Sequence, residues 1–134
     1  MLIKREVTVK VIVTDDFKQP LIGQFKEALR KVEQTQQQLE VQGKRYLAEI
    51  EDRDPSQAEA FRRKLDNQMR RQESVRVRLS QRLTEAESLE LGNEYLQGKL
   101  EVFEEIRVGD NLSEKLHEAE LLVKDDLIVE MRHA

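Results

Sequence analysis

The sequence predicts an α+β protein: a small antiparallel β-sheet or barrel-like domain built from both chain ends, with a long antiparallel two-helix coiled-coil hairpin inserted between them. Three observations predict it. Residues 3–13 alternate apolar and polar, residues 22–89 carry heptad seams, and the chain after residue 100 returns to short β-branched runs. A strand before the helices and strands after them share a sheet only if the helical region is an insertion. The expected boundaries are 1–14 with 100–134 for the β-domain and 15–99 for the arm.

Each element has its own signal. Ile3, Val7, Val9, Val11 and Val13 share one face, and Lys4, Glu6, Thr8 and Lys10 the other, as in a half-buried strand. Thr14-Asp15-Asp16 offers helix N-caps, Gln19 completes a capping box with Asp16, and Pro20 falls in the first turn. The seam then runs Ile22, Phe25, Leu29, Val32, Gln36, Leu39, Gly43, Tyr46, Ile50, spaced alternately three and four. Asp54 as cap and Pro55 as first helical residue start a second helix. Its seam runs Ala58, Phe61, Leu65, Met69, Gln72, Val75, Leu79, Leu83, Ala86, Leu89, and the helix is expected to reach about Gly98.

A short link between the two helices, near residues 52–56, implies an antiparallel hairpin. If Ile50 faces Ala58, partner numbers add to 108, so Gly43 faces Leu65, Leu39 faces Met69 and Gln36 faces Gln72. The missing side chain of Gly43 leaves room for Leu65, and the two glutamines in one layer can bond each other.

Beyond the arm, Val108-Gly109-Asp110-Asn111 signals a turn, residues 112–118 suit one helical turn, and residues 119–123 and 127–131 read as a terminal hairpin. That hairpin forces a choice. A two-residue turn at Asp125-Asp126 mixes apolar and charged residues on each face. A three-residue loop, Lys124-Asp125-Asp126, pairs Val123 with Leu127 and gathers Ala119, Leu121, Val123, Leu127, Val129 and Met131 on one face. The latter is the expectation, with a positive φ at Asp126.

These residues carry a family resemblance. Val7-Thr8-Val9-Lys10-Val11-Ile12-Val13-Thr14, then a Gln/Glu/Lys/Arg-rich helical stretch, then Val108-Gly109-Asp110 and Leu122-Val123-Lys124-Asp125-Asp126-Leu127-Ile128-Val129-Glu130 resemble the YlqD-like family of uncharacterised bacterial proteins. The resemblance covers the whole layout and implies no activity.

Composition narrows the function classes. The chain has 134 residues, no Cys, 37% charged and 4% aromatic residues. Disulfides, thiolate metal sites and cysteine nucleophiles are excluded. No apolar run is long enough to span a membrane, and the first residues carry no secretory signal, so a cytoplasmic protein without membrane contact is expected. No Gly-rich phosphate loop occurs, and His117 and His133 lack the spacing of a metal pair. The expectation is therefore a non-enzymatic interaction or scaffold protein with no metal and no cofactor.

Two candidate surfaces remain. The net charge is −4, but residues 53–82 carry nine basic and four acidic groups. Lys44, Arg45, Arg63, Lys64, Arg70, Arg71 and Arg78 form a basic cluster suited to an acidic partner or RNA phosphates. The ordinary alternative is a solvated helix face whose cations pair with Glu40, Glu59 and Asp66, and this reading ranks RNA second to a protein partner. Phe103, Leu122 and Ile128 fall opposite the inferred core and form a candidate interface, with self-association of the β-domain as its expected use.

Overall fold

The computed structural model describes the backbone of residues 1–133 and side chains through Arg132, so the side chain of His133 lies outside the described residues. The elements are β1 (Leu2–Ile12), α1 (Asp15–Gln38), a π-helical segment (Leu39–Gly43), α2 (Lys44–Glu51), α3 (Pro55–Glu87), β2 (Glu94–Glu105), α4 (Leu112–Leu116), β3 (Ala119–Lys124) and β4 (Leu127–His133). The chain divides into two compact units: Met1–Gln19 with the chain from Leu89 onward, and Pro20–Ser88.

The first unit is a four-stranded sheet in the order β2-β1-β3-β4. It is mixed, which corrects the antiparallel expectation. β1 runs antiparallel to β2 but parallel to β3, with Val7, Val9 and Val11 opposite Ala119, Leu121 and Val123. The connection after β2 supplies the reason. β2 ends at Glu105, beside Leu2, and the chain turns back through Gly109 at φ +100° and α4. Arg5 holds this return in place. Its guanidinium, largely buried, donates to Glu104 at 2.5 Å and to the His117 carbonyl, while Lys115 reaches Glu104 at 3.2 Å. β3 therefore starts at the end of the sheet where β1 starts, and must run alongside it. Arg5 first, then Lys115, holds the Glu104 carboxyl below its ordinary pKa.

One face of the sheet buries Val7 and Val11. The other is a lattice of ion pairs, Lys4–Glu101 at 2.9 Å, Lys10–Glu120 at 3.0 Å and Arg132–Glu94 at 2.7 Å between strands and Arg132–Glu130 at 3.1 Å within β4; the one between Arg132 and Glu94 spans the sheet. That pair joins the two outer strands. In a flat sheet those strands lie about 14 Å apart, three strand spacings, a gap that the length of the two side chains and the ordinary twist of a sheet together close.

The exit from the helices departs from expectation. α3 ends at Glu87, not near Gly98. Gly92 takes φ +88°, a conformation no helix continues through. Its N–H donates to the Val13 carbonyl at 2.8 Å and the Val13 N–H to Asn93, also 2.8 Å, so the ladder claims this stretch. At the entry to α1, Thr14 is the cap, accepting from the Phe17 N–H at 3.2 Å. Pro20 consequently lies inside the helix, beyond its first turn.

The terminal hairpin starts in the two-residue register weighed from sequence and, past a bulge, continues in a register that neither alternative gave. Asp125 and Asp126 have φ of 48° and 66°, a two-residue turn of type I′ character, and Lys124 pairs with Leu127. Turn chemistry thus overrides the expected three-residue loop. A bulge then leaves Val129 unpaired, so Leu121 meets Met131 and Leu122 meets Glu130. One extra residue restores the face parity that the turn had broken. Thr14 Oγ1 donates to Asp125 Oδ1 at 2.7 Å. Asp126→Gly is expected to stabilise the protein by about 0.5 kcal/mol, because glycine takes a positive φ without strain. Asp125→Gly should show no such gain, since it loses the Thr14 bond. Thermal melts of both variants check the pair.

The second unit is the helical hairpin. A Cβ placed on Gly43 would lie 2.6 Å from Leu65 Cδ1. The rings of Tyr46 and Phe61 meet edge-on at 4.7 Å, and Arg62 reaches Glu51 at 2.9 Å. These contacts follow the expected antiparallel register. Gln36 finds a different partner in its layer: its amide donates to Glu73 Oε2 at 2.8 Å, beside Gln72. The first helix is not continuous. It widens to π geometry over Leu39–Gly43, where Val41 and Gly43 are weak helix formers. Asp54 caps α3, accepting from the Gln57 N–H at 3.1 Å, with Pro55 following as read.

Candidate functional site

α3 sorts its charges by side. At 3.6 residues per turn, Glu59, Asp66 and Glu73 recur every seven residues along one flank. Arg76 pairs with Glu73 at 2.6 Å, and Arg62 crosses to Glu51. Adjoining that flank and running round to the far side, Arg63, Lys64, Arg70, Arg71, Arg78 and Arg82 fall within about a third of the circumference. All six are exposed. No acidic residue of α3 between Arg63 and Arg82 enters that arc. Among the described residues none of the six has an ion-pair partner.

The remaining members of the basic cluster lie on α2. Lys44 is engaged by Glu40, as the solvated-face alternative requires, whereas Arg45 is exposed without a partner. Glu59 and Asp66 stand four residues before Arg63 and Arg70, a spacing that permits pairing, yet neither pair closes. Lys64, Arg71 and Arg78 repeat every seven residues and lie farthest round from Glu59, Asp66 and Glu73, until Glu85 takes the next place in the row. Arg82 joins them and was missed by the sequence reading. Its signal is its position, four residues after Arg78 on the same flank.

The paired flank shows what an occupied cation looks like. Arg76 grips Glu73 with Nε at 3.0 Å and Nη2 at 2.6 Å, and Gln36 adds a third bond. Arg76 first, then Gln36, holds the Glu73 carboxyl down at about 2, below its ordinary 4.5. A lowered folded value stabilises the fold above the ordinary value and loses that contribution as pH falls toward the folded one. The hairpin should therefore weaken between about pH 4.5 and about 2. Gln36→Ala should raise the Glu73 midpoint without restoring 4.5, because Arg76 remains. A carboxyl-carbon NMR titration reads it, and an unmoved midpoint would remove Gln36 from the network.

The apolar candidates do not form one patch. Phe103 and Ile128 are exposed, but Phe103 pairs with Lys4 and Ile128 with Val123, residues on opposite faces of the sheet. Leu122 lies opposite Val7 and Val11 as read, yet is only 5% exposed. Its ladder neighbours are Lys10 and Glu130, long side chains of the ion-pair face. Leu122 is thus corrected from interface to core.

No described helix is long and apolar enough to cross a membrane. A crystal structure of a protein of unknown function from Synechococcus sp. WH 8102 matches with a TM-score of 0.82 at 25% identity, covering 98% of this chain and 94% of that one. "Uncharacterized protein YlqD" of Bacillus subtilis (strain 168) is 24% identical over 132 residues, 98% of each chain. The family model described as YlqD protein matches residues 1–132, and the chain accordingly belongs to the YlqD family.

Proposed function

We propose that the protein is a non-enzymatic interaction protein that grips a polyanionic partner along the cationic flank of α3. One observation carries this reading: between Arg63 and Arg82, six exposed cations without ion-pair partners among the described residues share an arc that no acid enters, Glu85 standing one turn beyond its end. A helix face kept soluble by charge alone gains more from alternating signs, which pair locally. A single-sign row concentrates potential and steers an oppositely charged partner. The β-sheet supplies no comparable patch, because its charges are largely engaged with one another.

Retention on immobilised heparin tests the reading. A chain of sequence pI about 5.4 should not bind a polyanion near neutral pH unless a local patch overrides its net charge. The protein is expected to be retained at low salt and released by moderate salt. The variant Lys64→Gln/Arg71→Gln/Arg78→Gln/Arg82→Gln should flow through. Wild-type flow-through at low salt, or equal retention of both proteins, overturns the proposal.

A further inference from the structure

Resting on that reading, we infer that the polyanion is a base-paired nucleic acid, held by its backbone phosphates without reading of sequence. The residue types of the arc select this partner. Lys64, Arg71 and Arg78 form one row at seven-residue spacing, and Arg82 extends it to about 27 Å at 1.5 Å per residue. Arg63 and Arg70 form a second row. Between the rows lie Asn67, Ser74 and Gln81, again every seven residues. Arginine presents a planar fork matched to phosphate oxygens, and five of these six cations are arginine. Asn, Ser and Gln side chains are among the groups that bond phosphate and sugar.

The arc also lacks what other polyanions require. A protein interface needs a desolvated core with aromatic or aliphatic anchors. Here Val75 and Val77, one at each margin of the arc, are the nearest apolar side chains along this stretch, and they are isolated from each other by the cations between them. Single-stranded nucleic acid is held by bases stacking on aromatic rings; the arc itself carries none, and the two rings beside its first turn, Tyr46 and Phe61, which share a cavity with Lys64 and Asn67, are packed edge-on against each other at 4.7 Å. A duplex offers a rigid surface carrying one charge per about 1.7 Å of axis. A rigid helical row can engage it without the cost of ordering a flexible partner.

The test measures binding of the full chain to four probes by fluorescence anisotropy: a 20-base-pair RNA duplex, the same sequence as DNA duplex, its single strand, and polyglutamate. Duplex binding is expected to be at least tenfold tighter than binding to the single strand or to polyglutamate. Either duplex supports the inference, and the tighter one identifies the source of the phosphates. Four phosphate contacts predict a fall in DNA-duplex affinity on the order of 100-fold between 50 and 200 mM salt, with a flatter slope for each cation removed. Arg71→Lys/Arg78→Lys/Arg82→Lys should keep the slope but bind several-fold more weakly, having charge without the fork. Circular dichroism confirms that the variants fold. Polyglutamate or single strand binding as well as duplex overturns the inference, as does a salt slope unchanged in the Gln variant. Heparin retention lost in that variant, with no duplex binding, removes the duplex and leaves the polyanion reading standing. Loss of both removes both.

Discussion

Gly43→Ile is expected to destabilise the helical hairpin by about 2–3 kcal/mol, the range for forcing extra carbons into a packed contact. A Cβ at this position sits 2.6 Å from Leu65 Cδ1, 3.0 Å from Cδ2 and 3.4 Å from Cγ. The whole isobutyl group of Leu65 must therefore move, and Leu65 is only 4% exposed. Ala would be a blunter probe, because its better helix propensity returns about 1 kcal/mol and obscures the clash. Leu65→Ala alone should cost about 2–4 kcal/mol by leaving a void. The double variant should cost less than the two singles combined, since each change relieves the other, with a coupling of about 1–2 kcal/mol. Urea unfolding followed by helical circular dichroism measures all three. Strict additivity would show that the helices do not approach closely at this layer.

Leu122→Ala should lose about 2–3 kcal/mol, whereas Phe103→Ser and Ile128→Ser should each stay within about 0.5 kcal/mol of wild type. The three residues looked alike in the sequence, each an apolar side chain on the face opposite the valines. The structure separates them by burial: 5% exposed for Leu122, against 71% and 61% for Phe103 and Ile128. A thermal melt of the three variants is decisive. Equal, small effects would return Leu122 to the surface. Arg132→Met should share part of the loss, because Arg132 ties the outer strands through Glu94.

What was legible follows from how many constraints bear on each feature. The hairpin register was legible because two seams and one glycine had to agree, and Gly43 does meet Leu65. The start of α3 was legible because Asp54 and Pro55 state it locally. The parallel pairing of β3 was not, since it depends on where the connection through α4 is anchored, a matter for Arg5, Glu104 and His117 rather than for strand periodicity. The bulge at Val129 was hidden for a related reason: face pattern and turn type each gave a complete answer, and only their conflict implied an extra residue. Burial of Leu122 was not legible because alternation assigns a residue to a face and not to a depth. The cationic arc was half-legible. Charge count located it, but which cations are unpaired required side-chain distances, and Arg82 lay one turn past the point where the cluster was drawn.

The central place of β1 has a consequence for the order of events on the ribosome. Its ladder partners begin at Glu94 and Ala119, so the strand is synthesised long before anything it can pair with. Throughout that interval its backbone donors and acceptors are unsatisfied and its valines exposed, a state prone to association with other chains. The hairpin contacts between Pro20 and Ser88 are complete first. Folding of that segment draws its two ends together and replaces a long floppy closure with a short one, which lowers the entropic barrier to forming the non-local ladders. A substitution that slows hairpin formation should therefore lengthen the vulnerable interval and reduce soluble yield during synthesis by more than its equilibrium stability loss alone would dictate.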